Sequence, residues 1–402
     1  LLGGVNLVRT LGRAGIPAVV ASADRDEPAF ASRYCIAHHV LPPLDHPQAV
    51  DRLVGIGERL REDAGRRVPL MYGSDDALEL IYAHRERLQR HFRFLVTDPA
   101  IAGALIAKDR FQAFAVERGL PVPPELAWEG DGPGTLAGAD REVLVKPRIK
   151  VDWHDSVLCA RVFGGDSKAR IYANGAAALA DPAVSLFRDQ LTFQEYIPGG
   201  DEALWSFHGY ADSTGALLAS FVGRKIRTDP PLTGESAFIE LAHDDALAQL
   251  GRDIAARLPL KGAFKMDFKR DPRDGRWYIL EINARYNLWH YLGAANGVNL
   301  MAVAYGHLLG HQRRMPARPA TTWRWLSLEN DWRAFRVLRA RGELGYARWL
   351  ASIVFSRNIY NLFAWRDPGP WLRFWSRRVA RRASRGSGRL IELVRQWRST
   401  AS

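Results

Sequence analysis

Apolar positions along this chain switch repeatedly between helical and extended spacing, and their order predicts alternating helices and strands. Val5 to Ala14 repeats at helical spacing between Gly3-Gly4 and Gly15-Ile16-Pro17, and the apolar run Ala18-Val19-Val20 follows. Turn, helix, turn and strand in that order open an α/β unit with a parallel sheet. Pro69 to Tyr72 reads as a further strand running into Gly73-Ser74-Asp75-Asp76 and a helix through Leu88, with Asp75 or Asp76 the expected cap. The end of a parallel strand is also where substrates bind, which keeps Ser74 and Asp75 as candidates. Lys108-Asp109-Arg110 starts a helix ending near Gly119, after which Pro121, Pro123 and Pro124 force an extended passage. Val143-Leu144-Val145 forms a strand that delivers Lys146, and Gln190 to Ile197 forms another, turned by Pro198-Gly199-Gly200-Asp201-Glu202. Trp205 to Tyr210 and Leu217 to Arg224 alternate as two strands around Asp212-Ser213-Thr214-Gly215. A helix over Ala246 to Leu258 precedes two strands, one carrying Asp267 and one running from Trp277 to Asn283, and Asn299 to Leu309 is the last helix of the core.

At 402 residues the chain is long enough for two to four domains, and 47% hydrophobic with 25% charged residues is the composition of a folded protein. Gly3-Gly4-Val5-Asn6 does not satisfy the dinucleotide fingerprint, and close packing of strand on helix explains these glycines as well as a phosphate does. The opening at Leu1, without Met, implies a first strand that is incomplete. Two cysteines, Cys35 and Cys159, are too few for a disulfide scaffold or a thiolate cluster and fit a reducing compartment. No leader-like start and no apolar run of about 20 residues is present, so the expected location is the cytoplasm.

The chemistry concentrates on the two late strands. Side chains alternate along a strand, so Glu281 and Asn283 share one face, as do Lys265, Asp267 and Lys269. Paired as a hairpin through the polar turn Arg270 to Arg276, these strands bring three hard oxygen ligands together, a set suited to Mg²⁺ with phosphate and water completing the shell. A solvated hairpin face balanced by Lys265, Lys269 and Arg285 would use the same residues. The apolar neighbours Phe264, Met266, Phe268, Ile279 and Ile282 favour an ordered sheet over a frayed loop.

The order of these motifs closely resembles the ATP-grasp superfamily, especially its carboxylate-amine ligases, the D-aspartate ligase and carbamoyl-phosphate-synthase-like members among them. The resemblance covers roughly residues 1 to 312: Lys108 at a helix start, Lys146 in Leu-Val-Lys-Pro, Gln194-Glu195-Tyr196-Ile197 with its Gly-Asp-Glu turn, Asp267, and Glu281-Ile282-Asn283-Ala284-Arg285. It implies an α/β and α+β chain: an α/β domain over 1–104, a small ATP-grasp subdomain over 105–193, a large subdomain with the metal site over 194–312, and a mainly helical, Arg/Trp-rich extension over 313–402. It further implies that Lys108 and Lys146 contact the phosphates of ATP, that Glu195, Tyr196 and Ile197 read adenine through backbone groups, and that Asp201 or Glu202 holds the ribose. Asp267 and Glu281 would hold one Mg²⁺ and Glu281 with Asn283 a second, Mn²⁺ being a possible substitute. The implied reaction activates a carboxylate as an acyl phosphate for attack by an amine or a thiol, releasing ADP and phosphate. Arg224, Lys225, Arg227, Lys265 and Arg285 are the positive residues near the expected reaction centre; Arg285, Arg224 and Lys265 are the cations expected at the reacting groups, and Arg227 lies in a Pro-rich loop. A phosphotransferase of the same fold and a non-catalytic ATP-binding protein are the alternatives.

One stretch departs from the family. A Gly- and Ser-rich loop commonly follows the second lysine, whereas here Pro147-Arg148-Ile149-Lys150-Val151-Asp152-Trp153-His154 does, with Arg148 or Lys150 as electrostatic replacements and His154 lacking an orienting partner. Substrate specificity is expected in the 148–170 and 223–236 loops and the first domain.

Charge is divided unevenly. Residues 313–402 hold 20 Arg, no Lys and 5 acids, or +15, against −3 for residues 1–312, and 8 of the 13 Trp lie there too. Trp323 to Leu362 is expected to pack on the core, while Trp371, Trp375 and Val379 line one side of an Arg-rich helix suited to an anionic membrane interface over 371–398. Nucleic acid is a weaker candidate, since no recognition module accompanies the charge. Expected partners are therefore small carboxylate and amine substrates, lipid-linked ones included, the inner face of the membrane, and a second copy in a homodimer.

Overall fold

A computed structural model of the chain describes residues 1–106, 108–130, 134–148, 156–165, 167, 169–311, 315–316 and 318–380; the side chains of Lys108 and Asp109 also lie outside this description. The first unit is built on parallel pairing. Strand Ala18–Ser22 pairs with Cys35–Val40, and Val68–Pro69 pairs with Phe92–Arg93. Residues 1 and 2 join these pairs: the Leu1 carbonyl accepts from Ala21 N at 3.0 Å, and Leu2 N donates to the Met71 carbonyl at 2.8 Å. Helix Val5–Arg13 buries Val5, Leu7, Val8 and Leu11. A Cβ on Gly3 would lie 2.6 Å from Leu7 Cδ1, so this glycine serves close packing. Ser74, not Asp75 or Asp76, caps the next helix by accepting from Ala77 N at 3.2 Å, and that helix ends at Ala83 before a short turn of helix over Arg85–Gln89.

Seven strands form the main sheet in the order Trp277–Asn283, Gly262–Arg270, Leu204–Ala211, Leu217–Asp229, Glu235–Leu241, Trp323–Leu326, Arg357–Tyr360. All neighbours are antiparallel except the last pair. Helix Asp245–Arg257 covers one face by placing Gly251 against the Phe207 ring, where a larger residue would not fit. Helix Trp289–Ala295 covers part of the other, its Trp289 lying against Gly223 and His208. A smaller antiparallel sheet, ordered Arg170–Tyr172, Val143–Pro147, Leu191–Glu195, has its own core around Val143, Val145, Val162, Leu191 and Phe193. Most of the 223–236 stretch expected to be a loop is a hairpin: the strand from Leu217 continues to Asp229 and turns into Glu235–Leu241.

The extension is helical and aromatic, with helices Leu328–Ala340, Tyr346–Val354 and 369–380, and it also adds the two edge strands to the main sheet. Trp325 is 1% exposed and its Nε1 donates to Asn6 Oδ1 at 2.8 Å. Two buried ion pairs fasten the extension. Arg9 Nε donates to Asp367 Oδ2 at 2.9 Å, with both side chains at most 3% exposed, and its guanidinium also donates to the Asn361, Leu362 and Asp367 carbonyls. Asp367 accepts further from Ser32 Oγ at 2.9 Å and Arg33 N at 2.8 Å. Arg227, expected in an exposed loop, is instead buried and bidentate to Asp331 at 2.6 and 3.1 Å, with Trp349 Nε1 also on Asp331.

Losing one partner of a fully bonded buried pair strands the other charge in a medium that cannot solvate it. Asp367→Ala is expected to lower the unfolding free energy by about 3–5 kcal/mol in urea titrations, and the double change Arg9→Met with Asp367→Leu to cost clearly less.

Candidate functional site

Strands Gly262–Arg270 and Trp277–Asn283 pair with Asp267 opposite Glu281 and Lys265 opposite Asn283. Antiparallel partners share a face, so the four side chains form two adjacent rows. Leu204–Ala211 continues the rows, with Ser206 beside Asp267 and His208 beside Lys265. Asp267 is 6% exposed; its Oδ1 accepts a short bond from Ser206 Oγ, and its Oδ2 accepts from Lys265 Nζ at 2.6 Å. Burial alone would raise this carboxyl, but the ammonium groups of Lys265 and Lys225 overcome that and hold it well below the usual carboxylate range. Glu281 is exposed, and its Oε1 accepts from Asn283 Nδ2 at 2.9 Å. The donors are hard oxygens, one carboxylate is kept ionised, and the other faces solvent, a combination that fits Mg²⁺ shared with phosphate oxygens. Among the described residues no group of three or more His, Cys, Asp and Glu side chains converges on a metal position, as is usual for Mg²⁺ held by one or two carboxylates and its substrate.

The expected cations divide. Lys265 lies on this face. Arg285 stands just past it, its guanidinium bonded to Asp75 at 2.6 and 3.3 Å and reaching Asn283 Oδ1 at 3.4 Å, so the first turn of helix Asp75–Ala83 is tied to the end of strand Trp277–Asn283. Arg224 is not brought here. It pairs in register with Trp205, whose neighbour Ser206 marks the Asp267 face, so Arg224 belongs to the opposite face, where it meets Glu240 at 2.6 Å and the Trp205 ring. Lys225, also expected near the reaction centre, takes its place on the Asp267 side, whereas Ser206 is a neighbour that the sequence did not single out. Ser206 and His208, alternating polar positions in the apolar run Trp205 to Tyr210, were the signal available.

The segment between the two sheets is tightly tied. Glu195 N donates to the Pro124 carbonyl and Tyr196 N to that of Glu142, while the Glu195 carboxylate is held by Arg273 at 3.0 Å and Arg141 at 3.3 Å. Ile197 is buried at the end of this segment. Tyr196 Oη accepts from Lys269 Nζ at 2.9 Å; burial pushes that ammonium down to about 8 against the pull of Asp201, Glu142, Glu202 and Asp271. Asp201 is used up within the fold, accepting from Thr228 N, Thr228 Oγ1 and Leu232 N at 2.6–2.8 Å, which leaves Glu202 as the exposed acid of the turn. Lys146 alternates with Val145 and Pro147, which are buried, so it points away from the small core, to the side where Gln194 bonds Gln112 at 2.7 Å. Gln112 lies one turn after Lys108 on helix Lys108–Glu117. Arg148 lines a groove of about 600 Å³ with Trp128 and Arg188, bonded to the Leu191 carbonyl at 3.2 Å. Lys150, Trp153, His154 and Asp155 lie outside the described residues.

A second groove, about 850 Å³, opens at the carboxyl ends of the N-terminal strands between Gly3-Gly4, Asp24, Glu27, Gly73-Ser74 and Asp76. In and behind the Lys265 row, His208 and His290 are fully buried, and both ring nitrogens of His208, His290 Nε2 and Asn287 Nδ2 have no hydrogen-bond partner among the described residues. Burial keeps both rings neutral, moving His208 well below the ordinary imidazole range and His290 down to about 4.

The architecture, two sheets of unequal size joined by a linking strand and preceded by a parallel α/β unit, is that of the ATP-grasp fold. The chain superposes on N5-carboxyaminoimidazole synthetase of Staphylococcus aureus complexed with ADP with a TM-score of 0.55, at 13% identity, covering 80% of this chain and 78% of that one. A biotin carboxylase complexed with β,γ-ATP from Campylobacter jejuni gives 0.53 at 14% identity, over 79% and 71%. In sequence the chain is similar to D-aspartate ligase of Enterococcus faecium (strain Aus0004), 23% identical over 286 residues, 65% of this chain and 63% of that relative's length. No family model matches the chain.

The buried histidines set a pH response. The unfolded chain protonates His290 near 6.5 and the folded chain only near 4, so below pH 6.5 the unfolded state binds more protons and stability falls until the lower value is passed. Between pH 7 and pH 4 the wild type should lose about 3 kcal/mol more unfolding free energy than His290→Leu, measured by denaturant titration at each pH.

Proposed function

We propose that this chain is a Mg-ATP-dependent ligase that joins a carboxylate to an amine through an acyl phosphate. The observation that carries the reading is the register of Asp267 opposite Glu281, with Ser206 and Lys265 orienting the buried carboxylate and Glu281 open to solvent. Asp267, Glu281 and Asn283 would hold Mg²⁺, or Mn²⁺ in its place, and the ion, when bound, would supply charge neutralisation for the phosphates. Lys146, with Lys108 at the start of its helix, is assigned to the phosphates, Glu195 to Ile197 to adenine, and Glu202 to the ribose. The likeness to D-aspartate ligase supports a carboxylate and an amine as the substrate pair.

The substrate carboxylate oxygen attacks the γ-phosphorus, the bond to the β-phosphate oxygen breaks, and ADP leaves. Lys265, Lys225 and Arg285 are the cations on or beside this face that can hold the carboxylate and then the acyl phosphate. The amine nitrogen then attacks the acyl carbon, phosphate leaves, and the nitrogen gives up its proton to solvent or departing phosphate. No side-chain nucleophile is required, so the work of these residues is alignment and charge stabilisation. Asp75 ties Arg285 to the N-terminal unit, and the acidic groove beside Ser74 and Asp76 is suited to a substrate bearing a cationic amine.

With Mg-ATP, release of both ADP and phosphate should require a carboxylate and an amine together, found by dividing pools of each. Glu281→Gln should lower that rate about a hundredfold or more. Arg285→Ala should raise the KM for the carboxylate roughly tenfold, the loss of one charge-assisted contact. ADP formation with a single added compound and no free phosphate would identify a phosphotransferase instead.

A further inference from the structure

The edge strand Arg357–Tyr360 and the helices on either side of it in the chain carry apolar side chains that the fold leaves uncovered. Of the 18 large hydrophobic residues exposed among the described residues, nine lie between 346 and 379. Phe355, just before edge strand Arg357–Tyr360, is 88% exposed, and Trp365, in the turn that follows it, is 89% exposed. Helix Tyr346–Val354 leads into that strand with Leu350 and Val354 exposed one turn apart and none of its residues buried. After the strand, Phe363 contacts both Trp365 and Trp371, and helix 369–380 continues with Leu372 and Val379 exposed. A polar environment gives no reason to keep six such side chains in view, and patches of this kind mark contact surfaces.

The charge around them selects the partner. Residues 346–380 contain six arginines and one acid, Asp367, which is buried on Arg9. Arg348, Arg357 and Arg366 have no acidic partner among the described residues. Aromatic and aliphatic side chains interleaved with arginine match the boundary of an anionic bilayer, where rings and alkyl groups enter the headgroup region and guanidinium groups stay with phosphates. Nucleic acid would use the charge and leave Leu350, Val354 and Val379 unexplained. No helix among the described residues is long and apolar enough to cross a membrane.

We propose that this surface, from Leu350 through Phe355 and Trp365 to Val379, is a docking surface for an anionic lipid bilayer. The proposal is independent of the ligase reading, since vesicle binding is measured without turnover.

Flotation of the full chain with mixed phosphatidylglycerol–phosphatidylcholine vesicles tests it. Binding is expected to the mixed vesicles and not to phosphatidylcholine alone, to weaken with added salt, and to drop at least tenfold in Phe355→Ser/Trp365→Ser. Both side chains are exposed, so the thermal transition of the double variant should match the wild type. Unchanged flotation of the double variant would overturn the proposal, because the basic residues beyond 380 are intact in it and would then account for binding. It would equally be overturned if the double change abolished a dimer in sedimentation while the wild type ignored vesicles, making the surface a contact between copies.

Discussion

The pairing register of two antiparallel strands is the constraint on which the candidate site rests. Asp267 faces Glu281 because Met266 pairs with Ile282 and Lys265 with Asn283, and the ladder shifts only after Asp267, where Phe268 pairs with Ile279. A slip by one residue would send both acids to the face packed by Phe207, Phe264 and Met266, away from Ser206 and Lys265. Side chains such as Phe264 and Met266, fully buried on that face, make the slip costly. The same burial that holds the core together therefore holds two carboxylates in one place, and Ser206 and Lys265 refine the position of the inner one.

A second constraint is covalent distance. The chain leaves the large sheet, builds two further edge strands, and returns to the first helix, where Arg9 and Asp367, 358 positions apart, close the circuit. Arg227 and Asp331 fasten the same extension to the long hairpin. The extension is thereby part of the main body, and the hydrogen bonds of Trp325 and Trp349 to Asn6 and Asp331 account for two of its tryptophans.

Features with local causes were legible in the sequence. Alternation along Lys265 to Lys269 and Glu281 to Asn283 gives the shared face directly, and Val143 to Lys146 shows which side of its strand the lysine takes. Features set by distant pairing were not. Arg224 looked as close to the acids as Lys225, and its face depends on a hairpin whose register shifts between Tyr210 and Ala211. Asp201 reads as an exposed turn acid until Thr228 and Leu232 supply its partners. Asp75 and Arg285 are 210 positions apart, and no periodicity connects them. Strands Trp323–Leu326 and Arg357–Tyr360 are four residues each, too short for alternation to register against the helical pattern around them.

The Lys265 ammonium on Asp267 has a consequence for how the molecule comes into being. Domains whose acidic clusters lack internal counter-charge depend on an ion to become folded. Here the innermost carboxylate is already balanced by a lysine two positions away on its own strand, a partner present as soon as that strand exists. The bare polypeptide thus brings its own counter-charge to the innermost carboxylate, in a pair that forms as the strand itself forms.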